Sequence, residues 1–186
     1  MQVISSQTFG LTLFSKSDSE MEERMKTYVI TLSQTFQKGH NRVGDDTYFR
    51  KKLIKGINKE PLPDTLFWKY LPSKIHTIRA NYPFWEKRIT EVERGEACLS
   101  IRQWSGKPYR SKQVEIAHLT NEDGIGIQQL EFVDGNLGLP RIGIVYQRIQ
   151  ELAKNDGLSF EDWESWFKGY DLTQPMAIIH FTKFRY

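Results

Sequence analysis

The sequence predicts an α+β domain built on a small β-barrel of about five to six strands flanked by helices. Three observations carry this. Short β-branched or alternating segments at 96–104, 112–119 and 124–132 follow one another through brief turns, the pattern of a meander that closes on itself. Two helix-like stretches come after them. The chain then finishes on a segment, 176–184, that is apolar on both faces.

Taken in order, residues 1–24 read as an N-terminal extension, rich in Ser and Thr and then acidic, with a single domain over 25–186. The stretch 27–33 places Tyr28, Ile30 and Leu32 on one face of a first strand. A polar loop over 34–44 leads to a helix through about Lys55, capped by Asp45 or Asp46, carrying Phe49 and Leu53 four apart and stopping at Gly56. Pro61, Pro63 and Pro72 confine the next stretch to a short helical turn, in which Leu66, Phe67, Trp68, Tyr70 and Leu71 call for burial. Residues 74–79 alternate as a strand or strand entry, and 84–93 form a short helix ending near Gly95.

After the three meander strands, 134–140 is a glycine-rich loop. Over 141–154, Ile142, Val145, Ile149 and Leu152 recur at helical spacing and predict one long helix ended by Gly157. Ser159 with Asp162 three residues on is a capping-box variant opening a helix with Phe160, Trp163 and Phe167 on one face.

Composition narrows the function. The chain has 186 residues, 39% hydrophobic and 13% aromatic, so it can bury a core. A net charge of +3 is too small to argue for nucleic acid without a local concentration of charge. A single cysteine, Cys98, excludes an internal disulfide and fits a reducing, cytoplasmic setting. No apolar run approaches the roughly 18–20 residues a spanning helix needs, and the N-terminus lacks the basic start of a signal peptide. His40, His76, His118 and His180 show no metal-ligand spacing, so neither metal nor cofactor is expected. There is no phosphate loop and no nucleophile elbow.

Three stretches carry candidate chemistry. Lys74-Ile75-His76-Thr77-Ile78-Arg79 packs a base, an imidazole, a hydroxyl and a guanidinium into six residues. Strict alternation separates Lys74 from Thr77; an irregular strand would let them converge, so that a desolvated lysine could serve the hydroxyl as base. A solvated edge strand is the alternative. Residues 101–112 carry Arg102, Lys107, Arg110 and Lys112 with Trp104 and Tyr109 and no acid, pairing cations for phosphates with platforms for bases. A solvated hairpin tip is the alternative here. Asn155-Asp156-Gly157 reads as a helix stop that also offers a carboxylate to a pocket.

In order and spacing, three segments resemble the ASCH domains of the PUA-like superfamily. Lys74-Ile-His-Thr77-Ile-Arg79 resembles that family's Lys-x-x-Thr-Ile-Arg signature. Gly95-Glu-Ala-Cys-Leu-Ser-Ile-Arg-Gln-Trp104 looks like its glycine-led strand, and Asp156-Gly157-Leu158 through Trp163 and Trp166-Phe167 is similar to its C-terminal helix pair. The resemblance spans roughly 26–186 and implies a PUA-like barrel that recognises RNA or a modified nucleotide, with no membrane partner. Under it, Arg79, His76, Arg102, Trp104, Lys107, Tyr109 and Arg110 are the candidate binding residues.

Some members of the family resemble amidohydrolases that remove an acyl group from the N4 amine of cytidine. By that resemblance Lys74, Thr77 and Asp156 are the candidate catalytic residues, as base, nucleophile and acid or orienting carboxylate. Asp156 stands where those members carry a glutamate, so its carboxylate is expected to fall more than about 1 Å short unless the backbone compensates. The insertions over 34–73 and 124–140 are expected to reshape or cover the pocket. A third reading takes the aromatic stretches 66–71 and 82–85 as a protein-interaction surface.

Overall fold

A computed structural model describes residues 25–59 and 61–186; the proposed extension 1–24 lies outside the described residues. The class is α+β. Strand β1, Lys26–Leu32, is followed by helix α1, Phe49–Ile57, and the short helix α2, Leu66–Tyr70. Then come β2, His76–Arg79, α3, Tyr82–Glu93, β3, Ala97–Trp104, and β4, Gln113–Leu119. β5, Gly126–Phe132, β6, Pro140–Ile142, and β7, Val145–Tyr146, lead to α4, Ile149–Asn155, α5, Phe160–Phe167, and the final strand β8, Met176–His180.

The strands form two sheets, one ordered β1-β3-β4 and the other β2-β8-β5-β6-β7. β1 runs parallel to β3, and every other pairing is antiparallel. Tyr28, Ile30 and Leu32 are buried together on β1, as their alternation requires. β8 is central, between β2 and β5, and all five of its residues are buried, which is why it is apolar on both faces. α3 packs across β3, β5 and β8 through Ile89 and Val92, tying the two sheets into one core.

Hydrogen bonding does not close one barrel among the described residues. The meander breaks after β4: β5 pairs with β8 instead. The turn between them is a 3-10 segment, Asn121–Asp123, in which Thr120 and Asp123 cap each other and Gly124 takes φ +75°, so the chain turns a corner rather than folding straight back.

The long helix expected over 141–154 is two things. Pro140–Ile142 and Val145–Tyr146 form a hairpin, with Gly143 at φ +58° in the first position of its two-residue turn; only from Ile149 does a helix form. The helical spacing of Ile142 and Val145 was coincidental, since Ile142 pairs with Val145 across the hairpin. The first helix starts at Phe49 rather than at an aspartate cap. Asp46 instead accepts the backbone N–H of Tyr48 at 2.6 Å, and Tyr48 takes a left-handed φ of 55°. The aromatic turn α2 forms where expected, but Leu66, Phe67 and Tyr70 are exposed; only Leu71 of that stretch is buried. The final strand ends at His180, four residues before the expected end.

Candidate functional site

Lys74 is fixed before β2 begins. Its backbone N–H donates to Lys52 O at 2.9 Å, the Ile75 N–H donates to Asn155 O at 2.9 Å, and the Phe181 N–H donates to Ile75 O at 2.8 Å. The segment therefore threads between the last turns of α1 and α4 and enters β2 only at His76. This irregular entry breaks the alternation: Lys74, Thr77 and Arg79 all line one cleft of about 840 Å³, together with Asp156.

Two glycines make the threading possible. A β-carbon on Gly56, inside α1, would collide with the Lys74 carbonyl. Gly157 takes φ +77°, and a β-carbon there would press on the Lys74 and Lys52 side chains. Gly157 is also the αL residue of a Schellman stop: Leu158 N–H donates to Ala153 O at 2.9 Å and Gly157 N–H to Lys154 O at 3.0 Å. That stop presents Asp156 to Lys74. Gly56→Ala is expected to cost about 1–3 kcal/mol, the range for overpacking a close-packed interior, and to displace Lys74. Thermal denaturation checks the first effect and ligand titration the second.

Lys74 is 1% exposed and Asp156 4% exposed. The ammonium donates to Asp156 Oδ1 and, at 2.7 Å, to the Asp156 backbone oxygen, one of the carbonyls a helix end leaves unpaired. It also lies 4.4 Å from the centre of the Phe49 ring. The shortfall expected of an aspartate is absent, because the Schellman turn carries the carboxylate within contact of the lysine.

Burial pushes Lys74 below its ordinary value, while the charge and hydrogen bond of Asp156 pull it back up. Burial pushes the Asp156 carboxyl up, opposed by the Lys74 charge. Lys52, held by the Gly157 carbonyl at 2.7 Å, is lowered to about 8 by burial and then by the Lys74 charge.

Arg79 donates to Thr31 O on β1 at 2.9 Å, bridging the two sheets, and its buried Nε has no partner among the described residues. Thr77 Oγ1 likewise makes no hydrogen bond within the described residues. The cleft thus holds a cation with a spare donor, an uncommitted hydroxyl and a buried ion pair. Trp85, Trp104, Lys107, Tyr109 and Tyr170 also line it.

The candidates from the sequence divide accordingly. Lys74, Thr77, Asp156, Arg79, Trp104, Lys107 and Tyr109 line the cleft. Tyr109, 89% exposed and at φ +61°, sits with its ring centre 5.3 Å from that of Trp104, so the hairpin tip is exposed yet aimed at the cleft. Three candidate binding residues are displaced from it. His76 points to the other face of β2, is fully buried, and hydrogen-bonds the Tyr186 hydroxyl through Nε2 at 2.8 Å. Arg102 donates to Ser100 Oγ at 2.8 Å, beside a bulge between Ile101 and Arg102, and Arg110 lies on the exposed turn; neither lines the cleft.

Sequence reasoning missed Lys52 and gave Phe49, Gly56 and Trp166 no part in the site; Gly56, expected as a helix stop, lies inside α1, which ends at Ile57 with Asn58 in the left-handed cap. The only signal available was a glycine inside an otherwise regular helical pattern, which marks a close approach of another backbone. Among the described residues no group of three or more His, Cys, Asp or Glu side chains could hold a metal ion, and no helix is long and apolar enough to cross a membrane. Compared with known proteins, the chain matches no family model, no curated protein and no solved structure.

Proposed function

We propose that the chain is a nucleic-acid-binding domain of the ASCH type, in which the cleft receives one nucleotide of RNA or a modified nucleotide. The convergence of Lys74, Thr77, Arg79 and Asp156 in a single cleft rimmed by Trp104, Lys107 and Tyr109 carries this reading. The Arg79 guanidinium and Lys107, which both line the cleft, suit phosphate or carbonyl oxygens, and Trp104 and Tyr109 suit a base face. The β1-β3-β4 and β2-β8-β5 groups, joined by α3 and by the Arg79–Thr31 bridge, support a PUA-like barrel split into two hydrogen-bonded halves.

Titration of a fluorescent single-stranded RNA is the test. Affinity is expected to fall with added salt by about 0.7 in log K per phosphate contact for each tenfold rise in salt, because contacts release counterions. Trp104→Ala is expected to cost about 1–3 kcal/mol of binding, the usual worth of one stacked base. Absence of binding at low salt overturns the reading.

Amide hydrolysis on an acylated cytidine is a second reading, favoured by the Lys74–Asp156 contact and the uncommitted Thr77 hydroxyl. In it, Lys74 passes its proton to Asp156 within the pair and, then neutral, takes the Thr77 proton as Oγ1 attacks the acyl carbonyl, and Arg79 holds the developing oxyanion. The proton passes from Lys74 to the leaving N4 amine, and water then hydrolyses the threonyl ester, releasing the acid. Asp156 orients Lys74 throughout. Incubating N4-acetylcytidine with wild type, Lys74→Ala and Thr77→Val, followed by absorbance, tests it: turnover that both substitutions abolish supports it, and no turnover by wild type, or equal turnover by the variants, rules it out.

A further inference from the structure

The cleft does not stand alone. A second cavity of about 330 Å³ shares Gln37, Trp166 and Tyr170 with it. The hairpin residues Trp104, Lys107 and Tyr109 line only the first; Lys38 and Lys168 line only the second. The two abut on one aromatic wall with a lysine-bearing surface in each.

This second cavity is built between two elements that are stapled together. His40 Nε2 meets Asp162 O at 3.0 Å, the Asn41 N–H donates to Ser165 Oγ at 3.1 Å, and Arg42 Nη1 donates to Asp162 Oδ2 at 2.9 Å. These contacts hold the 37–42 turn against α5. Trp166 is braced from both sides, by Phe49 at 5.6 Å beside the cleft and by Phe36 at 6.0 Å and His40 at 6.1 Å beside the second cavity. Tyr170 rests on Phe167 at 5.1 Å yet is 42% exposed. Neither Lys38 nor Lys168 is in an ion pair among the described residues, whereas Arg42 nearby is committed to Asp45 and Asp162. Gly39 and Gly169 leave the space beside the two lysines open.

Braced aromatics with uncommitted lysines on both sides fit a charged chain carrying flat rings better than one small molecule. Resting on the nucleic-acid reading above, we infer that the ligand is a single-stranded polynucleotide rather than a free nucleoside. One nucleotide occupies the cleft, and its neighbour lies on Trp166 and Tyr170 with its phosphate at Lys38 and Lys168. A duplex is excluded as a ligand, because paired and stacked bases cannot reach Trp166 or the buried Lys74–Asp156 pair.

The experiment compares calorimetric titrations of a mononucleotide, mixed-sequence hexanucleotides of RNA and of DNA, and the matching duplexes. Wild type is set beside the double variant Lys38→Ala/Lys168→Ala, whose fold is verified by circular dichroism. Wild type is expected to bind a hexanucleotide of at least one sugar type about tenfold or more tighter than the mononucleotide. The double variant is expected to lose most of that advantage, with the salt slope falling by about 0.7 for the one phosphate it no longer neutralises, while its mononucleotide affinity is unchanged. Tight binding of RNA alone, or of RNA and DNA alike, supports the inference and says whether the 2′-hydroxyl is read. Equal affinity for mononucleotide and hexanucleotide, equal affinity for duplex, or an unchanged slope in the variant overturns it. Failure of every oligonucleotide to bind would instead remove the nucleic-acid reading on which it rests.

Discussion

Asp156→Ala is expected to destabilise the protein by about 3–5 kcal/mol, because it strands the Lys74 ammonium without its counter-charge in a buried site. In a chain of 186 residues that corresponds to a fall in Tm of about 6–20 °C, read by scanning calorimetry. The double variant Lys74→Met/Asp156→Leu is expected to recover most of the loss, since it removes both charges at nearly constant volume. The pH dependence has a fixed sign. An unpaired buried lysine has a folded pKa below its unfolded one, so the Asp156→Ala deficit shrinks as pH rises towards the ordinary lysine value and the folded state sheds the proton first. A loss under about 1 kcal/mol, or one that grows with pH, would show that the pair is solvated.

Acid is expected to unfold the protein through a second buried group. His76 and His180 face each other across β2 and β8 with ring centres 5.8 Å apart, and Tyr186 stands beside both. Neither nitrogen of His180 has a partner among the described residues, nor does His76 Nδ1. Burial, then the Arg185 charge, lowers His180 to about 3; burial, then the Lys74 and His180 charges, holds His76 well below the ordinary histidine range.

Both histidines are thus neutral when folded, while the unfolded chain takes up their protons below about pH 6.5. Their contribution to stability is complete above that pH and is lost as pH falls, for His180 down to about 3, at a slope of about 1.4 kcal/mol per pH unit for each histidine. Asp156 works in the opposite sense, since burial raises its pKa and the folded state then binds its proton first. Urea titrations between pH 7 and pH 4 measure the balance. His180→Leu is expected to lower the slope by about 1.4 kcal/mol per pH unit and to be as stable as wild type at neutral pH, because it also removes two unsatisfied buried nitrogens. A slope unchanged by His180→Leu would assign the acid sensitivity elsewhere.

Much of the fold was legible because it follows short-range rules. Alternation placed β1, short β-branched or alternating runs joined by brief turns placed β3, β4 and β5, and a run apolar on both faces marked β8 as a central strand. The errors fall where local pattern and long-range pairing disagree. Ile142 and Val145 fit a helix and a two-residue hairpin equally well, and the Gly143 turn favoured the hairpin. Leu66, Phe67 and Tyr70 looked like core by composition but lie exposed on a five-residue helix.

For the site, the sequence by itself determined the ingredients: a lysine, threonine and arginine within six residues, a helix stop bearing an aspartate, and a basic aromatic hairpin. It could not determine their company. Only the tertiary structure decided that Lys74 leaves strand geometry and shares a cleft with Thr77, and that Asp156 reaches it despite a short side chain. It likewise turned His76 and Arg102 away from the cleft and brought Trp166 to the wall between two cavities. The physical reason is that these outcomes hinge on contacts such as Lys74 N–H to Lys52 O and on the room left by Gly56 and Gly157. Each joins residues between about twenty and a hundred positions apart, a separation that no local period records.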